Sequence, residues 1–493
     1  MIDPLILVLD EGTTSTRAML FTSAGELRGS AQRALAQHYP RPGWVEHDAG
    51  EIWDKTFACA RETVEAAGGA DRIAAIGITN QRETVVAWDR QSGQPLARAL
   101  VWQDRRGADF CLTFREAGHE DAVREATGLL LDPYFSATKM RWLLDNEPAV
   151  AEAARAGRLA FGTVESWLMF KLTQGAAHVT DAGNASRTLL LPLTGASWDE
   201  GLGELFGVPA AALPEVVDSA GLFGTTTLFG APIPITGLAG DQQAATVGQG
   251  CLAPGATKAT YGTGAFILAN MGSEVPMSLH SLLGTVLHQL DGERCYALEG
   301  SVFVAGSLIQ WLRDSLGLIA TAAESEELAR SVESTGGVML VPALSGLGAP
   351  HWAPEARAAI SGLSFATGRA HIVRAALEAQ AHQTFDLMNA FAGDGAAWEC
   401  LKVDGGMAAN DWLAQDLADM LDLEVERPAF VETTALGAAM LAGVGAGIFG
   451  SLEDAAAMRG AVRTFEPHMA EAPRRARLAG WQAAVGSVLG YGA

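Results

Sequence analysis

The chain has 493 residues, 49% hydrophobic and 18% charged, which is too long for a single core and too apolar for disorder. Its 34 basic and 57 acidic side chains leave a net charge of -23, which argues against nucleic acid or an anionic membrane as a general partner, since both demand a basic surface. A polyanionic ligand must therefore find a local site rich in N–H groups or positive charge.

The first predicted element is the apolar strand Leu5-Ile6-Leu7-Val8-Leu9, which runs into Asp10-Glu11-Gly12-Thr13-Thr14-Ser15-Thr16-Arg17 and returns as Ala18-Met19-Leu20-Phe21. This reads as a β-hairpin whose tip offers backbone N–H groups and hydroxyls, a surface suited to phosphate oxygens because glycine lets the backbone come close. A second strand, Ile73 to Ile78, ends in Thr79-Asn80-Gln81-Arg82-Glu83, and Thr84 to Trp88 is a third. Lys139 to Leu144 has a helical pattern. The strand at Pro232-Ile233-Pro234-Ile235 leads into Gly240-Asp241-Gln242, expected as a turn. A second tip of the first kind, Tyr261-Gly262-Thr263-Gly264, precedes the strand from Ala265 to Ala269, and Leu401 to Asp404 is a strand that ends at Gly405-Gly406. Two such tips suggest two related α/β domains gripping one nucleotide between them, expected as residues 1–244 and 245–493.

Thr433 to Leu452 is an uncharged stretch of membrane length with five glycines and no flanking basic cluster, expected as a buried helix and turn. No segment near the N-terminus reads as a signal peptide. The five cysteines, Cys59, Cys111, Cys251, Cys295 and Cys400, form no C-x-x-C, so reduced thiols in a cytoplasmic protein are expected.

Several chemistries are excluded. No lysine follows a glycine, so a P-loop is absent. Gly445-Ala446-Gly447-Ile448-Phe449-Gly450 matches G-x-G-x-x-G but follows a helical run rather than a strand, so it fails the dinucleotide context and reads as a helix-ending loop. H-E-x-x-H and G-x-S-x-G are absent. What remains is three acids, Asp10, Asp241 and Asp404, each at a strand's end, which is where a metal-bound polyphosphate needs them. Any one of them alone is more often a capping residue.

With these motifs assembled, the chain closely resembles the glycerol kinases within the FGGY carbohydrate kinase family. The resemblance runs from Asp10-Glu11-Gly12-Thr13-Thr14 to Ala479-Gly480-Trp481, through Pro42 to Asp48, Ile78 to Thr84, Asp132 to Ser136, Gly240 to Ala244 and Thr260 to Gly264. It implies two actin-like, ribonuclease H-like domains with ATP and substrate in the cleft between them. Carried over by position, Arg82, Glu83, Trp102, Tyr134, Asp241, Gln242 and Phe266 line a glycerol pocket. Asp241 is the general base, and Asp10 and Asp241 are the candidate Mg²⁺ carboxylates. Thr13, Thr14, Ser15, Arg17, Gly262 and Thr263 hold phosphates, and Gln310, Gly406 and Asn410 lie near the nucleotide. Homodimers and homotetramers are common in the family.

Three departures stand out. The loop that binds fructose 1,6-bisphosphate in some members corresponds here to Thr225 to Pro232, which has neither a basic residue nor a histidine, so no anion or phosphohistidine control is expected there. Glu11 replaces a common glutamine, and Ala353 a common acid. Two alternatives stay open: a kinase of the same family acting on a pentulose or tetritol, and a non-catalytic nucleotide-responsive module, since actin-like folds serve both roles.

Overall fold

A computed structural model describes residues 4–490. Two mixed sheets share one plan. The first has six strands in the order Ala220–Thr226, Ile233–Gly240, Ile73–Asn80, Leu5–Glu11, Ser15–Thr22, Leu27–Ala34. The second has seven, in the order Leu283–Leu290, Glu293–Val302, Ala265–Gly272, Thr257–Tyr261, Cys400–Asp404, Glu424–Pro428, Val462–Phe465. In each, a hairpin's first strand pairs antiparallel with its mate and parallel with a strand from later in the chain. This is the pair of related halves expected from the two Gly-Thr tips.

The strand Leu5–Glu11 is buried at every position. Period two splits its side chains between two cores: Leu5, Leu7 and Leu9 join one cluster with Ile52 and Trp167, while Ile6 and Val8 join another with Met19 and Phe21. A strand covered on both faces has to be apolar throughout, which is why its sequence shows no alternation.

The second cluster is closed by the helix Thr433–Gly445, the uncharged stretch expected as a buried helix. It is apolar around its whole circumference, so it needs cover on all sides. It packs on the first sheet and on the helix Asp241–Gly248. The halves expected at 1–244 and 245–493 therefore share an element across the divide, and the boundary at 244/245 falls inside the helix Asp241–Gly248. The contact is very close: a Cβ at Gly437 would lie 1.8 Å from the Ala244 carbonyl oxygen, and one at Gly248 would lie 2.0 Å from the Thr433 carbonyl oxygen. The motif at 445–450 is the loop after this helix, as expected.

All five cysteines are free, with Cys59, Cys111 and Cys251 buried. Among the described residues, no helix is long and apolar enough to cross a membrane.

Candidate active site

The parallel strands of the first sheet all end at one edge. The register sets Glu11 beside Asn80 and Asn80 beside Gly240. Asp10, Arg82, Glu83 and Asp241 thus emerge side by side where the strands stop, the usual place for a ligand on such a sheet. In the second sheet Thr260 pairs with Asp404, which sets the tip at Gly262-Thr263 beside Gly405-Gly406.

Asp241 does not sit in a turn. It is the first residue of the helix Asp241–Gly248, and its Oδ1 accepts the Gln242 N–H at 2.7 Å. Arg82 Nε lies 3.4 Å from the same oxygen, and the Asp241 side chain stays 34% exposed. Enclosure by the protein raises its carboxyl above the ordinary aspartate value, against the pull of Arg82 and Lys258. Gln242 Oε1 accepts from the buried Lys258 ammonium, whose other partner is Thr260 Oγ1 at 3.0 Å.

Glu83 adopts φ +59°, a left-handed conformation costly for a side-chain-bearing residue. Its carboxylate is fixed by Arg187 Nε at 2.6 Å. Arg187 Nη2 also reaches Glu299 at 2.9 Å, and Glu299 binds Arg82 Nη1 at 2.5 Å. Burial works against ionisation of Glu299, but Arg187 and Arg82 outweigh it and hold its carboxyl at about 2.

The aromatic residues form a wall beside this network. The rings of Trp102 and Tyr134 meet edge-to-face at 5.6 Å, and those of Trp102 and Phe266 at 6.4 Å. Trp102 also ties this wall to the first Gly-Thr tip, because its indole N–H donates to Thr13 Oγ1 at 3.0 Å. The loop carrying Tyr134 is fastened by the buried Lys139 ammonium, which donates to the Pro133 and Tyr134 carbonyls at 2.8 and 2.6 Å.

At the first tip, Gly12 N–H closes the turn on the Ser15 carbonyl at 3.0 Å, and Thr14 is exposed. Ser15 Oγ accepts from Gln32 at 3.0 Å. Arg17 is ion-paired to Asp10 and to Glu432, at 2.5 Å for the latter, so its charge already joins the tip to the segment entering the helix Thr433–Gly445. At the second tip, Gly262 and Thr263 are exposed. Their carbonyls accept the N–H groups of Gly306 and Ala305, at 2.9 and 3.0 Å, which seats the start of the helix Gly306–Asp314 carrying exposed Gln310. Gly405 has φ +86°, and a Cβ there would lie 2.5 Å from the Tyr261 carbonyl oxygen, so glycine is needed where this loop crosses the strand end. Gly406 faces open space, while Asn410 caps the helix Asp411–Leu421 through Leu413 N–H at 2.9 Å.

The third strand-end acid, Asp404, belongs to the fold: it accepts from Gln249 at 3.0 Å and Thr433 at 2.5 Å. A cavity of about 670 Å³ lies elsewhere, between Ala220, His288, Cys295 and Leu452, and none of the expected site residues line it. Among the described residues, the group of three His, Cys, Asp or Glu side chains close enough to share an ion is Cys400, Glu424 and Glu426, away from this edge. Asp10 and Asp241 are not part of that group, so any ion they hold would take its remaining ligands from a polyphosphate and water.

Reading the sequence missed Arg187, Glu299, Lys258 and Gln243, whose Oε1 lies 3.4 Å from Arg82 Nη1. The signal was present for Glu299, the one charge between Cys295 and Ser307. Arg187 stood in none of the motifs read from the sequence.

Glu11 makes a prediction of its own. It is fully buried, its Oε2 lies 2.6 Å from Thr56 Oγ1, and its Oε1 has no hydrogen-bond partner. Burial raises its pKa from 4.5 to about 8. The folded state thus holds this proton more tightly than the unfolded chain, so Glu11's contribution is full at low pH and is lost as pH rises to about 8. Glu11→Gln should therefore melt progressively higher than wild type between about pH 5 and pH 8, gaining about 4 kcal/mol at the upper end. Melting curves that keep a constant offset across that window would refute this.

Comparison with known proteins places the chain in a family. The model of the FGGY family of carbohydrate kinases, N-terminal domain, matches residues 5–248, and that of the C-terminal domain matches residues 257–446. The chain belongs to the FGGY family of carbohydrate kinases. Within it, the chain is 55% identical over 486 residues to a glycerol kinase of Rhodospirillum rubrum, covering 98% of both chains. It is 56% identical over 489 residues to a glycerol kinase of Alcanivorax borkumensis, again covering 98% of each. The structure superposes with a TM-score of 0.94 on the Plasmodium falciparum glycerol kinase with ADP, at 36% identity over 99% of this chain and 98% of that one.

Proposed function

We propose that this chain is a glycerol kinase: it transfers the γ-phosphoryl group of ATP to glycerol, giving sn-glycerol 3-phosphate and ADP. The observation that carries the reading is the set Arg82, Glu83 and Asp241 converging at one strand edge under an aromatic wall that is hydrogen-bonded to the phosphate tip. Charged groups pair the hydroxyls, and the faces of Trp102, Tyr134 and Phe266 cover the C–H edges. A pocket that pairs hydroxyls rejects analogues lacking them, because its own polar groups would then go unpaired.

Asp241 accepts the proton of the attacking hydroxyl as its oxygen approaches the γ-phosphorus in line. Arg82 holds that carboxylate in place, and Gln242, fixed by Lys258, adds a polar contact to the substrate. Thr13, Thr14, Ser15, Gly262 and Thr263 present donors to the phosphates from both halves. Arg17 acts from its ion pair with Asp10, tying the tip to the helix behind it. Gln310, Gly406 and Asn410 flank the adenosine. Mg²⁺ held at Asp10 and Asp241 would supply neutralisation of the transferring phosphoryl charge. Closure of the two halves excludes water, so that transfer outruns hydrolysis. We further infer that the enzyme works in the cytoplasm and self-associates as a dimer or tetramer, which light scattering checks.

ADP release measured with Mg-ATP and glycerol, xylulose, ribulose, erythritol or no acceptor tests the assignment. Glycerol should give the highest kcat/KM by about tenfold or more; a preferred pentulose would overturn the substrate. The raised carboxyl of Asp241 also sets a pH limb. The base works only when ionised, so kcat/KM should fall as pH drops, beginning above the pH at which an ordinary aspartate protonates. A profile flat down to the ordinary aspartate range would remove Asp241 from that role.

A further inference from the structure

We propose that Glu299 and Arg187 are positioning residues that set Arg82 and Glu83 for the substrate, through a closed ring of four buried charges that spans both halves of the molecule. The inference rests on the glycerol kinase reading and extends it to residues that touch no substrate.

The ring closes in order. Arg82 Nη1 meets Glu299 Oε2 at 2.5 Å, Glu299 Oε1 meets Arg187 Nη2 at 2.9 Å, Arg187 Nε meets Glu83 Oε1 at 2.6 Å, and Glu83 Oε1 lies 3.9 Å from Arg82 Nε. All four side chains are at most 2% exposed. Two cations and two anions cancel, and each carboxylate answers two guanidiniums. Such a ring is costly to break at one member, because the remaining charge is left buried without its partner.

Its placement points to function. Arg82 and Glu83 follow the strand Ile73–Asn80 of the first sheet, whereas Glu299 lies on the strand Glu293–Val302 of the second. That strand pairs Ser301 with Phe266, a wall of the pocket, so one strand positions both the apolar cover and the anchor for Arg82. Glu83 holds its left-handed backbone beside the ring, and a residue in that conformation persists where its surroundings over-determine it. Arg82 has one edge turned to Glu299 and its Nε toward Asp241. If Glu299 loses its charge, Arg82 is free to swing fully onto Asp241 or away from the hydroxyl it reads. An ion pair that merely braced the fold would have no reason to include two substrate-reading residues and none outside the pocket except their holders.

The test compares wild type, Glu299→Gln and Arg187→Lys in steady-state kinetics with glycerol and ATP varied separately, with thermal melts alongside. Glu299→Gln should raise the KM for glycerol about tenfold or more while the KM for ATP stays within about twofold. Arg187→Lys, which keeps the charge but loses the planar fork, should raise the glycerol KM by a smaller factor, about threefold. A folded Glu299→Gln with an unchanged glycerol KM, or with both KM values raised alike, overturns the proposal. If Glu299→Gln fails to melt cooperatively, an unchanged glycerol KM in Arg187→Lys overturns it instead. A wild-type enzyme with no glycerol dependence sinks the functional reading and this one with it, an outcome visible before either variant is compared.

Discussion

Asp241→Asn should lower kcat roughly a thousandfold, the range expected for losing a positioned general base, while the melting temperature stays close to wild type. The substitution keeps the shape and the acceptor oxygen for the Gln242 N–H but removes the carboxylate proposed as the proton acceptor. Asp241 is one-third exposed and outside the four-charge ring, so its neutralisation leaves the ring's balance intact. The KM for ATP should move little, because the donors proposed for the phosphates lie on the two tips. A variant retaining a tenth of wild-type kcat would mean that the proton leaves by another route and that Asp241 serves to orient the substrate.

Gly437→Ala should be the most damaging change remote from the chemistry. The new methyl would sit 1.8 Å from the Ala244 carbonyl oxygen and 2.8 Å from the Gly248 nitrogen, both backbone atoms that no rotamer change can move. The two helices must separate, or the helix Asp241–Gly248 must slide. We expect a loss of about 3 kcal/mol or more in stability. Because that helix begins with Asp241, a shift approaching 1 Å should also cost kcat about tenfold to a hundredfold at temperatures where the protein is still folded. Gly486→Ala is the control: it lies on the helix Glu471–Gly490 with no atom within 4 Å of the added methyl, so stability should hold or rise slightly. A Gly437→Ala protein as stable and active as this control would show that the helix contact tolerates separation.

Sequence and structure part company in a consistent way. The hairpin tips, the strand-end acids and the uncharged stretch were legible because each is a local pattern: an apolar run, a Gly-Thr turn, a missing charge. Local pattern does not say which distant segment covers a buried face. The helix Thr433–Gly445 was readable as buried, but its seat against the helix Asp241–Gly248 depends on glycine-to-backbone contacts nearly 200 residues apart in the chain. For the same reason Asp404 looked like Asp10 and Asp241 until Thr433 and Gln249 were seen to occupy it. Asn410 and Arg17 were assigned to ligand from position, and the structure gives each a further bond, a helix cap and a double ion pair. Arg187 lies outside the motifs altogether, and Glu299 is marked only by standing alone among uncharged residues, since a residue that holds a binding group has no motif of its own.

The central claim is that both sheet edges serve one transfer between two bound molecules, not hydrolysis by a nucleotide-driven switch. Phosphorus NMR of the wild-type protein with Mg-ATP and glycerol tests it most directly. The account predicts a phosphomonoester of glycerol formed in equal amount to ADP, with neither appearing when glycerol is left out. ADP accompanied by inorganic phosphate, at the same rate with or without glycerol, would contradict it.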